Sequence, residues 1–303
     1  MVILKLIGGL GNQMFEIAFA RVMALESKSE LFIDTSVYKR YKIRSYSLPH
    51  LVISDSVRPL EESKLSKSRL LCMKISQQLY RVYQKAYKVI SKKDKIGKGI
   101  YKFLVKQGLH YNFDRYYYSD VMSNKKVKYI YGYFQSEKYF KEYKSIIVKE
   151  LKVKTKPTKY EEELLDEITK CNSVGVSIRL GDDYINSASL NVCNHDYYYR
   201  AMDLMYEKNK NVVFFIFSDC IDRVKEQFNF KYNVCYVDGF KDYESLRLLY
   251  SCSNFIISNS SFSWWGAYLS DNDSKIIVSP SKWYNDSFET PDIYNNSMML
   301  LRV

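Results

Sequence analysis

Two short segments of this chain combine the residue types that bind phosphate groups. VGVSIRLGDDY (Val174–Tyr184) and ISNSSFSWWGAY (Ile257–Tyr268) each begin as an apolar run, break into a polar turn and continue as a predicted helix. In a parallel α/β sheet, that junction lies at the carboxyl edge of a strand, where ligands bind. An arginine, backbone N–H groups and hydroxyls at such an edge suit the phosphates of a nucleotide. The sequence therefore predicts an enzyme that acts on an anionic, phosphate-bearing substrate.

Arg179 directly follows the apolar run Val174–Ile178, a predicted strand. Its guanidinium can donate two parallel hydrogen bonds to phosphate oxygens. If negative charge builds on a leaving diphosphate, that contact is stronger in the transition state and Arg179 is catalytic. A structural ion pair with Asp182 or Asp183 is the alternative, and the residue types alone leave both open.

The second segment gathers small hydrogen-bonding side chains where a predicted strand meets a helix: Asn259, Ser260, Ser261 and Ser263. A helix N-terminus offers N–H groups and the positive end of a dipole. A single serine could simply cap the helix. Four polar residues followed by Trp264–Gly266 favour a ligand site instead.

Asp219 ends a third apolar run, Ile216–Phe217 followed by Ser218. A carboxylate at the carboxyl edge of a strand can accept hydrogen bonds from a base or a ribose. It can equally cap the helix that follows. The sequence does not separate these two roles.

The elements that must position these residues begin with a Rossmann-like opening. We predict a strand over Val2–Ile7, a tight loop over Gly8–Asn12, a helix over Gln13–Ser27 and a strand over Leu31–Asp34. The turn GGLGNQ lacks the full G-x-G-x-x-G spacing, so by itself it is a weak signal for a dinucleotide. Tyr129–Phe134 is predicted as the strand that closes this half.

The second half alternates strands and helices, which predicts a parallel sheet. The predicted strands are Val174–Ile178, Val212–Phe217, Val234–Val237, Phe255–Ser258 and Ile276–Val278, and the predicted helices are Lys159–Lys170, Asp196–Lys208, Arg223–Phe228, Asp242–Ser251 and Phe262–Leu269. Lys152–Thr158 is the best linker candidate. We therefore predict an α/β protein with an N-terminal domain over residues 1–155, carrying a basic helical insertion at about 58–110, and a C-terminal domain over residues 156–303.

Composition agrees with a folded protein of two domains, since 47% of the 303 residues are apolar and 26% are charged. The six cysteines stand singly without the spacing of a zinc site, which fits a reducing compartment. The apolar run at the start is too short for a signal peptide or a membrane span. These features predict a cytoplasmic protein.

The net charge of +12 is concentrated in one segment. Arg58–Lys106 holds fourteen Lys or Arg against three Asp or Glu, a difference of eleven. Within it, apolar residues recur at helical spacing, and a line of basic residues adjoins them: the apolar set is Leu71, Ile75, Leu79, Val82, Ala86 and Val89, and the basic set is Lys74, Arg81, Lys85, Lys88 and Lys92. Such a helix either lies on an anionic membrane surface or packs on the N-terminal domain by its apolar stripe.

Five motifs now stand in order along the chain: GGLGNQMF (Gly8–Phe15), VSIRLGDDY (Val176–Tyr184), IFSDC (Ile216–Cys220), SNSSFSWWGA (Ser258–Ala267) and PSKW (Pro280–Trp283). With these motifs the chain resembles the bacterial α-1,2-fucosyltransferases of glycosyltransferase family 11. The resemblance spans the whole chain, and the SNSSFSWWGA segment is its most specific part.

The resemblance implies a GT-B-like architecture, in which two Rossmann-like domains face each other across a cleft. It implies inverting transfer of L-fucose from GDP-β-L-fucose to a galactoside hydroxyl, with an α-1,2 linkage, in glycan, O-antigen or capsule synthesis. No metal ion or other cofactor is expected. The acceptor would be a galactose-terminated glycan or a lipid-linked oligosaccharide, and no nucleic acid is expected as a partner.

The resemblance also implies roles for individual residues. Arg179 would bind the β-phosphate and act in catalysis. The resemblance does not identify the general base; Asp182 is the candidate because it and Asp183 are the carboxylates nearest the motif, and His195 is less favoured. Donor contacts would come from Gly11, Asn12, Gln13, Ser177, Arg179, Gly181, Asp219, Asn259, Ser260, Ser261 and Ser263. Asp183 and Tyr184 would contact the acceptor.

Three positions depart from the family pattern. Ser177 stands where the family has a histidine, Leu180 where it has a second arginine, and Cys220 where it has a second aspartate. These changes leave one arginine in the motif and put the contacts to the base in doubt.

Two other functions remain open at this point. The chain could transfer a different nucleotide sugar in the same architecture. It could instead be a non-enzymatic protein that binds a membrane or a polyanion through its lysine-rich helix. A peripheral position at the inner face of the cytoplasmic membrane, where lipid-linked acceptors are built, is a further hypothesis from charge and periodicity.

Overall fold

The computed structural model describes residues 1–39, 44–61, 67–91, 98–119, 122–286 and 290–303. The chain divides into two compact units, one formed by Met1–Leu151 with Pro291–Ile293 and the other by Lys152–Thr290 with Tyr294–Val303. Each unit is built on its own sheet, and the strand pairs in both sheets are parallel. Parallel strands need crossover connections, and α-helices supply most of them in the described residues.

The first unit has a five-stranded sheet in the order β3-β2-β1-β5-β4. Its strands are β1 (Val2–Lys5), β2 (Leu31–Asp34), β3 (Val57–Pro59), β4 (Leu109–Asn112) and β5 (Lys128–Gly132). Its helices are α1 (Leu10–Glu26), α2 (Lys67–Ser91), α3 (Lys98–Lys106) and α4 (Lys144–Glu150). Helix α1 is buried on most of its surface, which explains why its sequence is apolar almost all round.

Helix α1 begins three residues earlier than predicted. Gly8 has φ of +75°, a left-handed conformation that glycine adopts without a Cβ clash. Gly9 is the residue before the helix, so Leu10 already lies in its first turn. The predicted loop over Gly8–Asn12 is therefore wrong at its end, because Gly11 and Asn12 belong to the helix.

The second unit has a six-stranded sheet in the order β11-β10-β9-β6-β7-β8. Its strands are β6 (Asn172–Ile178), β7 (Val212–Ser218), β8 (Val234–Val237), β9 (Asn254–Ile256), β10 (Ile277–Pro280) and β11 (Met298–Leu301). Its helices are α5 (Lys159–Lys170), α6 (Asp182–Ile185), α7 (His195–Lys208), α8 (Ile221–Gln227), α9 (Asp242–Ser251) and α10 (Ser261–Leu269). The chain runs outward from β6 to β8 and then returns to β9 on the other side of β6. The direction of winding therefore reverses between β6 and β9, a topological switch point.

Helix α2 packs by a different face from the one its sequence predicts. Met73, Gln77 and Tyr80 are buried. The apolar stripe from Leu71 to Val89 is exposed instead. Packing through that stripe, one of the two expected arrangements, is therefore wrong. Lys92 and the side chain of Lys88 lie outside the described residues.

In the described ranges, none of the helices is both long and apolar enough to cross a membrane.

Candidate active site

The two polar turns singled out in the sequence meet at the switch point of the second sheet. Strands β6 and β9 are hydrogen-bonded neighbours with Val176 opposite Ile256. The segments that follow them therefore leave the sheet at the same edge, and the hydroxyl oxygens of Ser177 and Ser258 lie 3.4 Å apart. In open α/β sheets this crevice is where ligands bind.

Arg179 is held at this edge by two carboxylates and a ring. Its Nε donates to Oδ2 of Asp219 at 3.2 Å, and Nη2 donates to Oδ2 of Asp183 at 2.9 Å. The guanidinium carbon lies 4.9 Å from the centre of the Tyr184 ring. The side chain is 17% exposed. A guanidinium has five N–H donors, so described partners use two and leave three for a ligand.

Asp219 fixes the turn that carries Arg179. Its Oδ1 accepts hydrogen bonds from the backbone N–H groups of Leu180 at 2.8 Å and Gly181 at 2.9 Å. A Cβ on Gly181 would lie 2.9 Å from Oδ2 of Asp219, so the turn has no room for a side chain. The capping role considered for Asp219 is wrong, because Cys220 is the residue that precedes helix α8. Its contact to a guanosine stays a prediction.

Tyr184 is buried and its hydroxyl is fully engaged. The hydroxyl donates to Oδ1 of Asn259 at 2.8 Å and accepts from the N–H groups of Val192 and Cys193 at 3.1 Å and 3.0 Å. Burial raises the pKa of this phenol. The hydroxyl is therefore bonded within the protein and the ring lies against Arg179. A contact of Tyr184 to an acceptor stays a prediction.

Asn259 is also buried, and it ties three segments together. Its Nδ2 donates to the carbonyl oxygens of Leu190 at 2.9 Å and Trp283 at 2.8 Å. With Oδ1 bonded to Tyr184, this amide uses its polar atoms inside the protein. Asn259 shapes the turn, and the structure does not place its side chain at the surface.

The serines of the second turn divide into two kinds. Ser260 caps helix α10, accepting from the N–H of Phe262 at 3.3 Å, and Ser263 is buried, donating to the carbonyl oxygen of Ser260 at 3.1 Å. Ser260 and Ser261 are partly exposed, whereas Ser263 is not. The exposed part of the turn is therefore the first turn of α10, whose dipole favours an anion.

Gly266 serves the packing of the helices. A Cβ at this position would lie 2.3 Å from Cδ2 of Leu249 on α9. Helices α9 and α10 therefore approach each other closely at Gly266, and a residue with a side chain would not fit there.

The carboxylates expected near the acceptor have different partners. Asp183 pairs with Arg179, whereas Oδ1 of Asp182 lies 2.7 Å from Nη2 of Arg223 on α8. An ion pair between Arg179 and Asp182 is therefore not what the structure shows. Asp182 is 75% exposed, the more accessible of the two carboxylates.

Arg223 is a residue that the sequence analysis missed. Its Nη1 donates to the carbonyl oxygen of Leu180 at 2.7 Å, so a second guanidinium lies beside the turn where the family's second arginine is absent. The motif search could not find it, since it lies on α8 and belongs to no motif.

The predicted donor residues of the first unit build the turn after β1. Gln13 is buried; its Nε2 donates to the carbonyl oxygens of Gly8 at 3.1 Å and Ser45 at 2.7 Å, and Oε1 accepts from the N–H of Ser47 at 3.1 Å. Oδ1 of Asn12 accepts from Nε2 of Gln135 at 2.9 Å. Gly11 is buried in helix α1. Donor binding by these three residues stays a prediction.

Glu16 is a second residue that was missed, and it supports the same turn. Its Oε2 accepts from the N–H of Ile7 at 2.9 Å. The carboxyl is fully buried, and burial raises its pKa well above the usual value. A lone carboxylate inside the apolar helix sequence MFEIAFA was the available signal.

Across the described ranges, no three His, Cys, Asp or Glu side chains are grouped so that they could hold a metal ion.

Comparison with known proteins identifies the family of this chain. Residues 1–300 match the model of Glycosyl transferase family 11. An alpha-1,2-colitosyltransferase of Escherichia coli is 30% identical over 93% of this chain and 92% of its own length. The O-antigen biosynthesis glycosyltransferase WbnK of Escherichia coli is 34% identical over 41% of this chain and 44% of its own length.

Solved structures of other proteins share the fold of this chain. The fucosyltransferase NodZ from Bradyrhizobium superposes with a TM-score of 0.51 at 15% identity, over 88% of this chain and 91% of that one. FUT1 of Arabidopsis thaliana gives 0.50 at 11% identity, over 95% of this chain and 72% of that one. The GT-B-like α/β fold class expected from the sequence is confirmed. With a family match over nearly its whole length, the chain belongs to glycosyltransferase family 11, so it is a glycosyltransferase.

Proposed function

We propose that this enzyme transfers L-fucose from GDP-β-L-fucose to a hydroxyl of a galactose-terminated glycan, forming an α-1,2 linkage with inversion. The proposal rests on the position of Arg179. Its three remaining N–H donors lie at the switch point, beside the first turn of α10. A diphosphate is the group that such an arrangement suits. Two NodZ structures, one soaked with GDP-fucose and one crystallised with GDP, share the fold and support this choice of ligand.

The proposed reaction is a single displacement. The bond between C1 of fucose and the diphosphate oxygen breaks, and its electron pair stays on GDP. The acceptor oxygen bonds to C1 from the opposite face, and its hydroxyl proton passes to a carboxylate. Arg179 stabilises the charge that develops on the diphosphate, which lowers the barrier more than it strengthens substrate binding.

Asp182 is the proposed proton acceptor. Its carboxylate is the more exposed of the two at this edge and its ion partner is Arg223, whereas Asp183 pairs with Arg179, the proposed diphosphate ligand. Asp182→Asn keeps the shape and removes the base, so we expect kcat to fall by about 10²-fold or more. Asp183→Asn is the matched control. A larger loss in the control would transfer the role to Asp183.

Transfer of colitose is a second candidate for the donor. Colitose is L-fucose without its 3-hydroxyl, and the 30% identical relative is named as a colitosyltransferase. The two donors share the diphosphate, so Arg179 does not discriminate between them. The family match leaves no place for a purely non-enzymatic function.

One assay tests the proposal. The purified enzyme is given GDP-fucose or GDP-colitose with a panel of galactosides, with and without a chelator, and the product linkage is determined by NMR. We expect GDP-fucose to give an α-1,2-fucoside at the same rate with the chelator present. Turnover of GDP-colitose alone would select the second candidate, and turnover of neither would contradict both.

We further propose that the enzyme acts in the cytoplasm in the synthesis of O-antigen or capsule. The name of the relative WbnK and the six unpaired, scattered cysteines support this. Deletion of the gene should then remove fucose from the surface polysaccharide, as sugar analysis can measure.

A further inference from the structure

Helix α2 exposes a continuous stripe of large apolar side chains. Leu71, Ile75, Leu79, Val82 and Val89 are between 48% and 77% exposed. The stripe runs along about 27 Å of helix from Leu71 to Val89, at 1.5 Å per residue. A soluble protein rarely leaves so long an apolar strip uncovered without a partner for it.

The orientation of this stripe is fixed by the opposite face of the helix. Gln77 accepts from Nζ of Lys5 at 2.8 Å, the hydroxyls of Ser76 and Tyr111 lie 2.9 Å apart, and the rings of Tyr80 and Tyr111 are 5.5 Å apart. At 3.6 residues per turn, Met73, Gln77 and Tyr80 lie about half a turn from the stripe. The first unit therefore holds α2 with its apolar stripe turned outward.

Charge identifies the kind of surface that covers the stripe. Helices α2 and α3 together contain nine Lys or Arg and no Asp or Glu. Lys74 and Lys85 are exposed and lie along one flank of the stripe. Phe103, Lys102 and Lys106 on α3 are also exposed. Apolar side chains beside unbalanced positive charge match a lipid surface with anionic headgroups.

We propose that helix α2 lies in the plane of an anionic membrane surface, with its leucines, isoleucine and valines in the acyl boundary and its lysines at the headgroups. A second protein would be expected to meet these lysines with carboxylates, and a second copy of this chain offers none on α2 or α3. The inference is independent of the donor and acceptor sugars, since it uses none of the residues at the switch point.

The experiment is flotation of the purified full-length protein with vesicles of phosphatidylcholine alone or mixed equally with phosphatidylglycerol, at low and at high salt. One variant, L79E/V82E, places charge in the stripe, and another, K74Q/K85Q, removes charge from its flank. Ile146→Glu on α4 is the matched control, since Ile146 is an exposed apolar residue of the same unit. Thermal melting and analytical ultracentrifugation accompany each variant.

We expect the parent protein to bind the mixed vesicles at low salt and to be released at high salt. L79E/V82E should lower the partition coefficient by at least about tenfold, and I146E should leave it unchanged. Each lysine near such a surface strengthens binding by about fivefold, so K74Q/K85Q should lower it by about 25-fold at low salt and much less at high salt.

Three results would overturn the proposal. The parent protein could stay unbound with the mixed vesicles at low salt. L79E/V82E could float as well as the parent while melting at the same temperature. The parent could sediment as a dimer that L79E/V82E converts to a monomer, with no vesicle binding by either, which would assign the stripe to self-association.

Discussion

The turns that follow the first strand of each unit use their polar residues in opposite ways. After β1, Gln13 and Glu16 bond inward to the turn itself, and neither side chain has an exposed polar atom to offer. After β6, Asp219 bonds inward in the same manner but holds Arg179 so that three N–H donors remain for a ligand. Both turns carry motif residues; in the second, the motif itself supplies the charged group at the sheet edge, Arg179, whereas beside the first the guanidinium comes from Arg44, outside the motif.

From this difference we predict that some motif residues build the frame of the site without touching the ligand. Tyr184 and Asn259 resemble Gln13 in this respect, because each satisfies its polar atoms within the protein. Loss of a frame residue should lower stability first, whereas loss of a contact residue should lower turnover first. Measuring both stability and turnover of single variants therefore separates the two kinds of residue.

Arg179→Ala is expected to have the largest effect on catalysis. Removing one preorganised donor to developing charge typically costs 10²–10³ in kcat, and we expect about that loss here. Arg179→Lys keeps the positive charge but lacks the two parallel N–H donors of a guanidinium, so it should recover part of the rate. Steady-state kinetics with GDP-fucose and a galactoside measure both, and thermal melting checks the fold. Near-normal turnover in Arg179→Ala would make this arginine part of the frame.

Asn259→Ala is expected to lower stability before it lowers activity. It leaves the carbonyl oxygens of Leu190 and Trp283 without the Asn259 donor and the Tyr184 O–H without its acceptor. Unsatisfied buried groups cost about 1–3 kcal/mol each, partly relieved by relaxation, so we expect a loss of about 3 kcal/mol in the free energy of unfolding. Urea denaturation followed by tryptophan fluorescence measures it.

Ser260→Ala is the matched control for Asn259→Ala, since loss of the N-cap should lower the free energy of unfolding by only about 1 kcal/mol. Unchanged stability together with weakened donor binding in Asn259→Ala would show that the amide touches the ligand.

His110→Phe tests whether a buried histidine of the first unit makes the stability of the protein depend on pH. His110 is fully buried on β4, and burial lowers its pKa to about 4 from the usual 6.5. The unfolded chain takes up a proton as the pH falls below about 6.5, but the native histidine stays neutral down to about 4, so stability falls across that window. The loss amounts to about 3 kcal/mol, and His110→Phe should remove it.

Urea unfolding of both proteins between pH 7 and pH 4 gives the two stability profiles. Equal slopes for the parent and the variant would show that His110 contributes no acid sensitivity.

Much of the fold could be predicted from the sequence because the central strands of the second sheet are buried on both faces. Five of its strands were found as short apolar runs, and the helices α5 and α9 have the predicted ends. Strand β11 was missed because it is an edge strand after a segment without periodicity, and α6 because four residues are too few to show a helical period.

The site was predictable in its location but not in the roles of its residues. Composition and spacing indicated that Arg179 and the serine-rich turn share one sheet edge. They could not show that Tyr184, Asn259 and Ser263 point inward, because burial depends on neighbours that are distant in the sequence, such as Trp283. For the same reason, the exposed stripe on α2 looked like a packing face.

Arg223→Ala has the smallest expected effect, and it tests whether a second arginine contacts the ligand. Arg223 holds the Leu180 carbonyl and pairs with Asp182, both at the rim of the turn. If it only supports that turn, kcat/KM should fall by about twofold to tenfold, because exposed ion pairs contribute little. If Arg223 also binds the diphosphate in place of the family's second arginine, the loss should instead approach that of Arg179→Ala. Measuring both single variants and the double variant decides between these roles, since two contacts to one diphosphate would give a combined loss that differs from the product of the single losses.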